Sequence, residues 1–213
     1  MFFREFGLCV CVCVCVCVCV CVFVFVYACS TPRSCDVPLS HTHTIATWQV
    51  AWLKEDLATP RHAAFIIATG HRPLYCTDGG STDKDCVKFA THLRSQAEDI
   101  LVPKVDLVLQ AHMHGYERTY PVSHGQPTSK TYVNPSAPTY IVNGAAGNRE
   151  GNANAHGNQP YSVPNAHTAL HGYSRIAIAG STLQYSFVLS SNRTVFDTFT
   201  ITKTAEETLP TFA

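Results

Sequence analysis

From Cys9 to Val22, cysteine and valine alternate without a break, and Phe23-Val24-Phe25-Val26 continues the period before Tyr27. Such a low-complexity segment needs an account of its own, and it takes the start of the chain out of any ordinary globular fold. Three readings are open. Phe6 to Cys29 is free of charge for 24 residues, which as a helix would extend roughly 36 Å, enough to span a bilayer core as an anchor. Against a helix, every second residue is β-branched valine, which favours strand in water. A cleaved signal peptide has Arg4 as its n-region and Ala28, Cys29 and Ser30 as small residues near a cut, although its apolar region exceeds the roughly 7–15 residues expected. The third reading is translated simple-sequence DNA. A TG repeat encodes alternating Cys and Val, a CA repeat encodes alternating His and Thr, and His41-Thr42-His43-Thr44 follows downstream. On that reading seven of the eleven cysteines say nothing about redox chemistry.

The rest of the 213 residues reads as ordinary globular protein, 46% hydrophobic and 14% charged over the whole chain. Fifteen Lys+Arg balance fifteen Asp+Glu, which excludes a strongly basic nucleic-acid binder and an acidic disordered tail. Ser30 to Ser40 contains Pro32 and Pro38 and reads as a linker, so residues 1–45 are set apart from the folded part.

Trp48, Trp52, Leu53 and Leu57 recur at helical spacing in a segment stopped by Pro60, predicting a short amphipathic helix. Phe65-Ile66-Ile67-Ala68, ended by Gly70, is a buried strand. A second helix starts near Thr82 or Asp83 and runs through Cys86, Phe89, Leu93, Ala97 and Ile100, with Pro103 beyond it. Val105 to Leu109 is the next strand. Tyr140 to Val142, Ser174 to Ala179, Leu183 to Leu189 and Val195 to Ile201 are further strands, with Gly180-Ser181 and Ser191-Asn192 as turns. Helices alternating with strands and then a strand meander predict an α/β half grading into antiparallel sheet, an α+β arrangement.

Both early strands run into histidine. Gly70-His71-Arg72-Pro73 follows the first, and Ala111-His112-Met113-His114-Gly115 the second. Imidazole is a common metal ligand, and two histidines one residue apart at a strand end reach one site or two adjacent ones. The spacing alone is weak, because His41 and His43 repeat it; surface or hydrogen-bonded core histidines are the alternative.

Three longer motifs add context: Gly70-His71-Arg72-Pro73-Leu74-Tyr75, then Ala111-His112-Met113-His114-Gly115-Tyr116-Glu117-Arg118-Thr119-Tyr120-Pro121, then Asn143-Gly144-Ala145-Ala146-Gly147-Asn148-Arg149-Glu150-Gly151. In order and interval they resemble the purple acid phosphatases, a branch of the calcineurin-like metallophosphoesterases. The lead-in Gln49 to Leu57 and the tail from His171-Gly172-Tyr173-Ser174 through Phe196-Asp197 are similar to that family too, so the resemblance covers Thr47 to Lys203.

It implies the second half of a four-layer αββα sandwich, with residues 46–135 as the C-terminal half of a catalytic domain, 136–203 as the family's antiparallel C-terminal segment and 204–213 as a tail. It implies a binuclear centre, Fe3+ beside Zn2+, Mn2+ or Fe2+, with His71 and His112 on the divalent ion and His114 on the ferric one. Two such ions neutralise a phosphate monoester substrate and acidify a bound water. Arg72 is a candidate phosphate contact or a brace for its loop. Tyr116, Glu117 and Arg118 are expected behind the ligands, orienting them by hydrogen bonds. Similar sequences also imply a loop-closing Cys76–Cys86 disulfide, with buried free thiols as the alternative. Asp78, Asp83 and Asp85 read as turn and helix-cap carboxylates, with metal ligation as the lesser alternative, and His156, His167 and His171 as solvated loop residues. Asn192-Arg193-Thr194 is the sole glycosylation sequon, meaningful for a secreted chain. The family implies a secreted, vacuolar or lysosomal location, with a membrane contact only if residues 6–29 act as signal or anchor.

The departures matter as well. Such enzymes take further ligands from an Asp, a Gly-Asp-x-x-Tyr motif and a Gly-Asn-His-Glu/Asp motif, and none occurs in this sequence. The expectation is therefore a phosphatase lacking its first-half ligands and hydrolysing little as it stands. A metal-binding remnant without activity, and another phosphoesterase such as a nucleotidase or diesterase, are the alternatives.

Overall fold

In the computed structural model, residues 20–24, 45, 47–60, 63–77, 84–149, 151–152, 155 and 157–204 are described. The first strand, β1 (Val20–Val24), comes from the Cys-Val run and pairs in parallel with β2 (Phe65–Thr69). This part of the run is thus extended, as its alternate valines favour. The rest of residues 6–29, and with it the anchor or signal expectation, lies outside the described residues. Among the described residues no helix is long and apolar enough to cross a membrane.

β2 pairs in parallel with β3 (Leu107–Gln110), and β3 with β7 (Thr139–Asn143); β4 (Tyr116–Thr119) runs antiparallel to β7, and β8 (Ser162–Thr168) antiparallel to β4. The result is a six-stranded sheet ordered β1-β2-β3-β7-β4-β8. A hairpin of β5 (Val122–Ser123) and β6 (Gln126–Pro127) stands apart. Three antiparallel strands, β9 (Gly172–Ala179), β10 (Thr182–Leu189) and β11 (Val195–Thr202), form a second sheet with β10 central.

Side-chain alternation splits the core in two. On one face of the large sheet, Ala68, Val108 and Tyr140 pack with Leu53 and Leu57 of α1 (Thr47–Ala58) and with Leu93, Ala97 and Leu101 of α2 (Ala90–Leu101). On the other, Phe65, Ile67, Leu107, Tyr116 and Ile141 meet Leu183, Tyr185, Phe187 and Ile201 of the small sheet. The layers are helix, sheet, sheet: an α/β region ending in antiparallel strands, as the sequence predicts. Tyr116 stacks on Phe187 with ring centroids 4.1 Å apart, a contact that contributes about 0.5–1.5 kcal/mol beyond simple burial.

Several elements differ from the sequence reading. α1 has the expected span but buries Gln49, Leu53 and Leu57, leaving Trp48 and Trp52 62% and 42% exposed. The spacing 49/53/57 is also a helical stripe, and the helix covers only one layer, so the neighbouring tryptophan stripe turns outward. α2 is preceded by a wide π-helical turn at Lys84–Phe89, the kind of irregularity that marks functional sites. β4 and β8 went unread because neither carries an apolar run. β4 is Tyr-Glu-Arg-Thr, buried along its whole length, since its polar side chains find partners inside. His167 lies on β8 and is half-buried, its ring against Gly157. His171 is exposed as expected, and His156 lies outside the described residues. The boundary expected between 135 and 136 precedes β7, which sits between β3 and β4 in the large sheet.

Candidate metal centre

Parallel strands β2 and β3 end side by side, so the loops that follow them leave the sheet at one edge, where open α/β sheets place their ligands. The ladder continues into those loops: Gly70 N–H donates to Leu109 O at 2.9 Å and Ala111 N–H to His71 O at 3.0 Å. Beneath them the buried Gln110 carboxamide accepts from Leu74 N–H and donates to Tyr75 O at 3.3 Å.

The second loop is built from two tight turns. Met113 N–H donates to Ala111 O at 2.7 Å and Gly115 N–H to Met113 O at 2.9 Å, so His112 and His114 each sit at the apex of a three-residue turn. His112 has φ 65°, a left-handed conformation costly for any residue with a Cβ and concentrated at functional sites. Gly144 holds this loop from the third motif, donating to Gly115 O at 2.9 Å.

His71 and His112 come together. His71 Nε2 lies 3.3 Å from His112 Nδ1. With metal–nitrogen bonds of about 2.0–2.1 Å, two ligands of one tetrahedral ion stand about 3.4 Å apart. The pair therefore fits as two ligands of a single ion. Among the described residues no group of three or more His, Cys, Asp or Glu side chains converges to hold a metal.

Asp85, which the sequence reads chiefly as a turn or cap carboxylate, enters this cluster. Its Oδ1 accepts from Arg72 Nη1 and lies 3.2 Å from His112 Nε2, while Arg72 Nη1 is 3.1 Å from that same nitrogen. The residue before Cys86 is brought here by the Cys76–Cys86 disulfide, with Cα atoms 5.1 Å apart. That is the signal that could have found it: a Cys pairing with the loop of His71 must carry its neighbour there. Asp78 and Asp83 lie outside the described residues.

The remaining motif residues face two ways along β4. Glu117, 3% exposed, accepts from Thr77 N–H at 2.8 Å and Thr77 Oγ1 at 2.6 Å, bracing the residue after Cys76. Tyr116 and Arg118 point the other way: the Tyr116 hydroxyl donates to Asp197 Oδ2, and Arg118 grips both oxygens of that carboxylate. These bonds tie β4 to the small sheet, not to the histidines. Asn192 is exposed, its Oδ1 accepting from Thr194 N–H at 3.0 Å.

Burial, then the Arg72 guanidinium, lowers the pKa of both His71 and His112; His114 adds to the effect on His71, and Asp85 opposes it at His112. Both rings thus stay neutral, with a lone pair to offer, to lower pH than free imidazole. The folded protein binds fewer protons at these sites than the unfolded one, so their contribution to stability is lost as pH falls from 6.5 through the depressed values. In the metal-free protein, imidazole NMR titrations of both residues should show midpoints below 6.5; midpoints at or above it would contradict this electrostatic account.

This arrangement, a helix-backed mixed sheet with histidine loops at one end and an antiparallel sheet behind, has a counterpart among solved structures. It superposes over 80% of this chain, and 32% of the other, on a purple acid phosphatase isolated from yellow lupin (Lupinus luteus) seeds, with a TM-score of 0.68 at 24% identity. Residues 137–198 match the family described as iron/zinc purple acid phosphatase-like protein C, so over that segment the chain is similar to that family. It is 32% identical over 178 residues to acid phosphatase type 7 of Danio rerio, covering 73% of this chain and 40% of that protein. With the Homo sapiens acid phosphatase type 7 it shares 36% identity over 118 residues, 48% of this chain and 26% of that one. The chain thus spans well under half the length of these relatives.

Proposed function

We propose that this chain supplies the C-terminal half of the catalytic unit of an acid phosphatase that hydrolyses phosphate monoesters. His71 and His112 hold a divalent ion (Zn2+, Mn2+ or Fe2+), and His114 a neighbouring ferric ion. The observation that supports this most directly is the 3.3 Å approach of His71 Nε2 and His112 Nδ1, the separation of two ligands on one ion. Two ions so placed supply charge neutralisation for a phosphate ester and a water of lowered pKa. The chain's own groups do the rest. The neutral imidazoles present lone pairs at mildly acid pH, the turns at His112 and His114 fix their direction, and Arg72, beside His112 Nε2, would contact the substrate phosphate. The Cys76–Cys86 bridge supports an oxidising location, secreted, vacuolar or lysosomal, where Asn192 would carry glycan.

A catalytically inactive metal-binding chain is the second reading, favoured by the lack of any three-donor group among the described residues. One experiment separates the two. The chain alone should turn over no p-nitrophenyl phosphate at mildly acid pH with iron and zinc. Thr47 to Lys203 joined to the N-terminal half of the Danio rerio relative should turn it over, and His112→Ala in that fusion should abolish it. A folded fusion without activity would sink the phosphatase reading; robust turnover by the chain alone would sink the claim that it lacks essential ligands.

A further inference from the structure

We infer that Asp85 is a positioning residue: it accepts a hydrogen bond from His112 Nε2–H, holding the proton on that nitrogen, and thereby leaves Nδ1 free to ligate beside His71. The inference rests on the metal-centre reading above.

A neutral imidazole carries one proton, and which nitrogen holds it is set by the partners of the other. His112 has partners on both sides: His71 Nε2 at 3.3 Å from Nδ1, and Arg72 Nη1 at 3.1 Å and Asp85 Oδ1 at 3.2 Å from Nε2. With its proton on Nδ1, His112 donates to His71 Nε2 while Nε2 accepts from Arg72. Both ring nitrogens of His112 then have partners, but both lone pairs needed for a metal are consumed.

With the proton on Nε2, Asp85 Oδ1 accepts a hydrogen bond from it, and Nδ1 and His71 Nε2 face each other as two lone pairs across the gap. The ring neither gains nor loses a proton; the proton changes nitrogen. Only the second arrangement can receive a cation. Arg72 can no longer donate to Nε2 once that nitrogen is protonated, so its guanidinium is left to Asp85, to which it already donates, or to a phosphate. A carboxylate behind a ligating imidazole fixes its tautomer and raises its basicity, and losing it costs about 10–100-fold in metal affinity.

Asp85 is fit for this task by its mounting. It sits on the wide helical turn Lys84–Phe89, next to the cysteine bridged to Cys76 in the His71 loop. Asp85 and His112 side chains are 29% and 24% exposed, sheltered enough for a charge-assisted bond to act as an anchor.

The test uses the full chain with Cys76–Cys86 closed, confirmed by peptide mass, and Zn2+ at buffered free concentration. Binding is read from the His71 and His112 imidazole 15N resonances, so zinc taken by the cysteines of the N-terminal run does not enter. Zinc-bound wild type should show His112 protonated at Nε2. Asp85→Ala should weaken zinc at these resonances about 10–100-fold and lose that fixed tautomer, with Asp85→Glu restoring part of both. If Asp85→Ala fails to fold, Asp85→Asn, nearly the same shape without the charge, carries the readout and should weaken zinc in the same direction. Unchanged affinity and tautomer, or ligation of wild type through Nε2, would overturn the inference while leaving the metal centre standing. No zinc response at either histidine of the wild type would overturn both.

Discussion

Arg118→Ala is expected to destabilise the protein by about 3–5 kcal/mol, because it leaves a buried carboxylate without its countercharge. Arg118 and Asp197 are 7% and 11% exposed, and the guanidinium meets the carboxylate through Nε at 2.6 Å and Nη2 at 2.7 Å. Its third nitrogen donates to the Tyr132 hydroxyl, and the Tyr116 hydroxyl donates to the same Asp197 oxygen that receives Nε. Truncating Arg118 strands Asp197 with one neutral donor, in a seam where burial already pushes the Tyr116 hydroxyl well above its ordinary pKa. For a domain of this size the loss corresponds to a fall of about 6–20 °C in Tm, measurable by circular dichroism. The double variant Arg118→Met with Asp197→Leu should recover much of it, since removing both charges also removes the cost of burying them. A change under about 1 kcal/mol for the single variant would mean the pair behaves like a solvated one.

Gly144→Ala should be comparably damaging for a different reason. A Cβ there would lie 1.9 Å from the Met113 carbonyl oxygen and 2.9 Å from its carbon. Both atoms are main chain, so no rotamer relieves the clash. Either the His112–His114 turns shift or the Asn143–Gly147 segment lifts and breaks the 2.9 Å bond to Gly115. The expected cost is about 3 kcal/mol, at the upper end of overpacking, and the imidazole resonances of His112 and His114 should move with it. Gly125→Ala is the control. That site is open, with only its φ of +75° to strain an alanine, so about 1–2 kcal/mol and unmoved histidines are expected. Equal effects from the two would refute the clash.

The contrast between these sites shows what could be read in advance. Phe65 to Ala68 and the strands from Ser174 onward declare themselves by apolar runs and turn residues, and His71, His112 and His114 by their place after strands. β4 does not, because Tyr116, Glu117 and Arg118 are stabilised by Asp197 and Thr77, partners distant in sequence that leave no local period. The same blindness hid Asp85: among loop carboxylates it looks like a cap, and only the disulfide brings it to His112. On α1 two stripes competed, and tertiary packing chose the one containing Gln49 over the tryptophans.

The strand order has a consequence in time. β7 lies between β3 and β4, both synthesised before it, so a chain emerging from the ribosome cannot complete the middle of its large sheet until Asn143 is out. The small sheet that covers the Tyr116 face waits until Thr202. Such distant pairings fold slowly, and the bridge between Cys76 and Cys86 can close long before them. Asp85 is then tethered near His71 while the strand ends that will carry the histidines are still finding their neighbours.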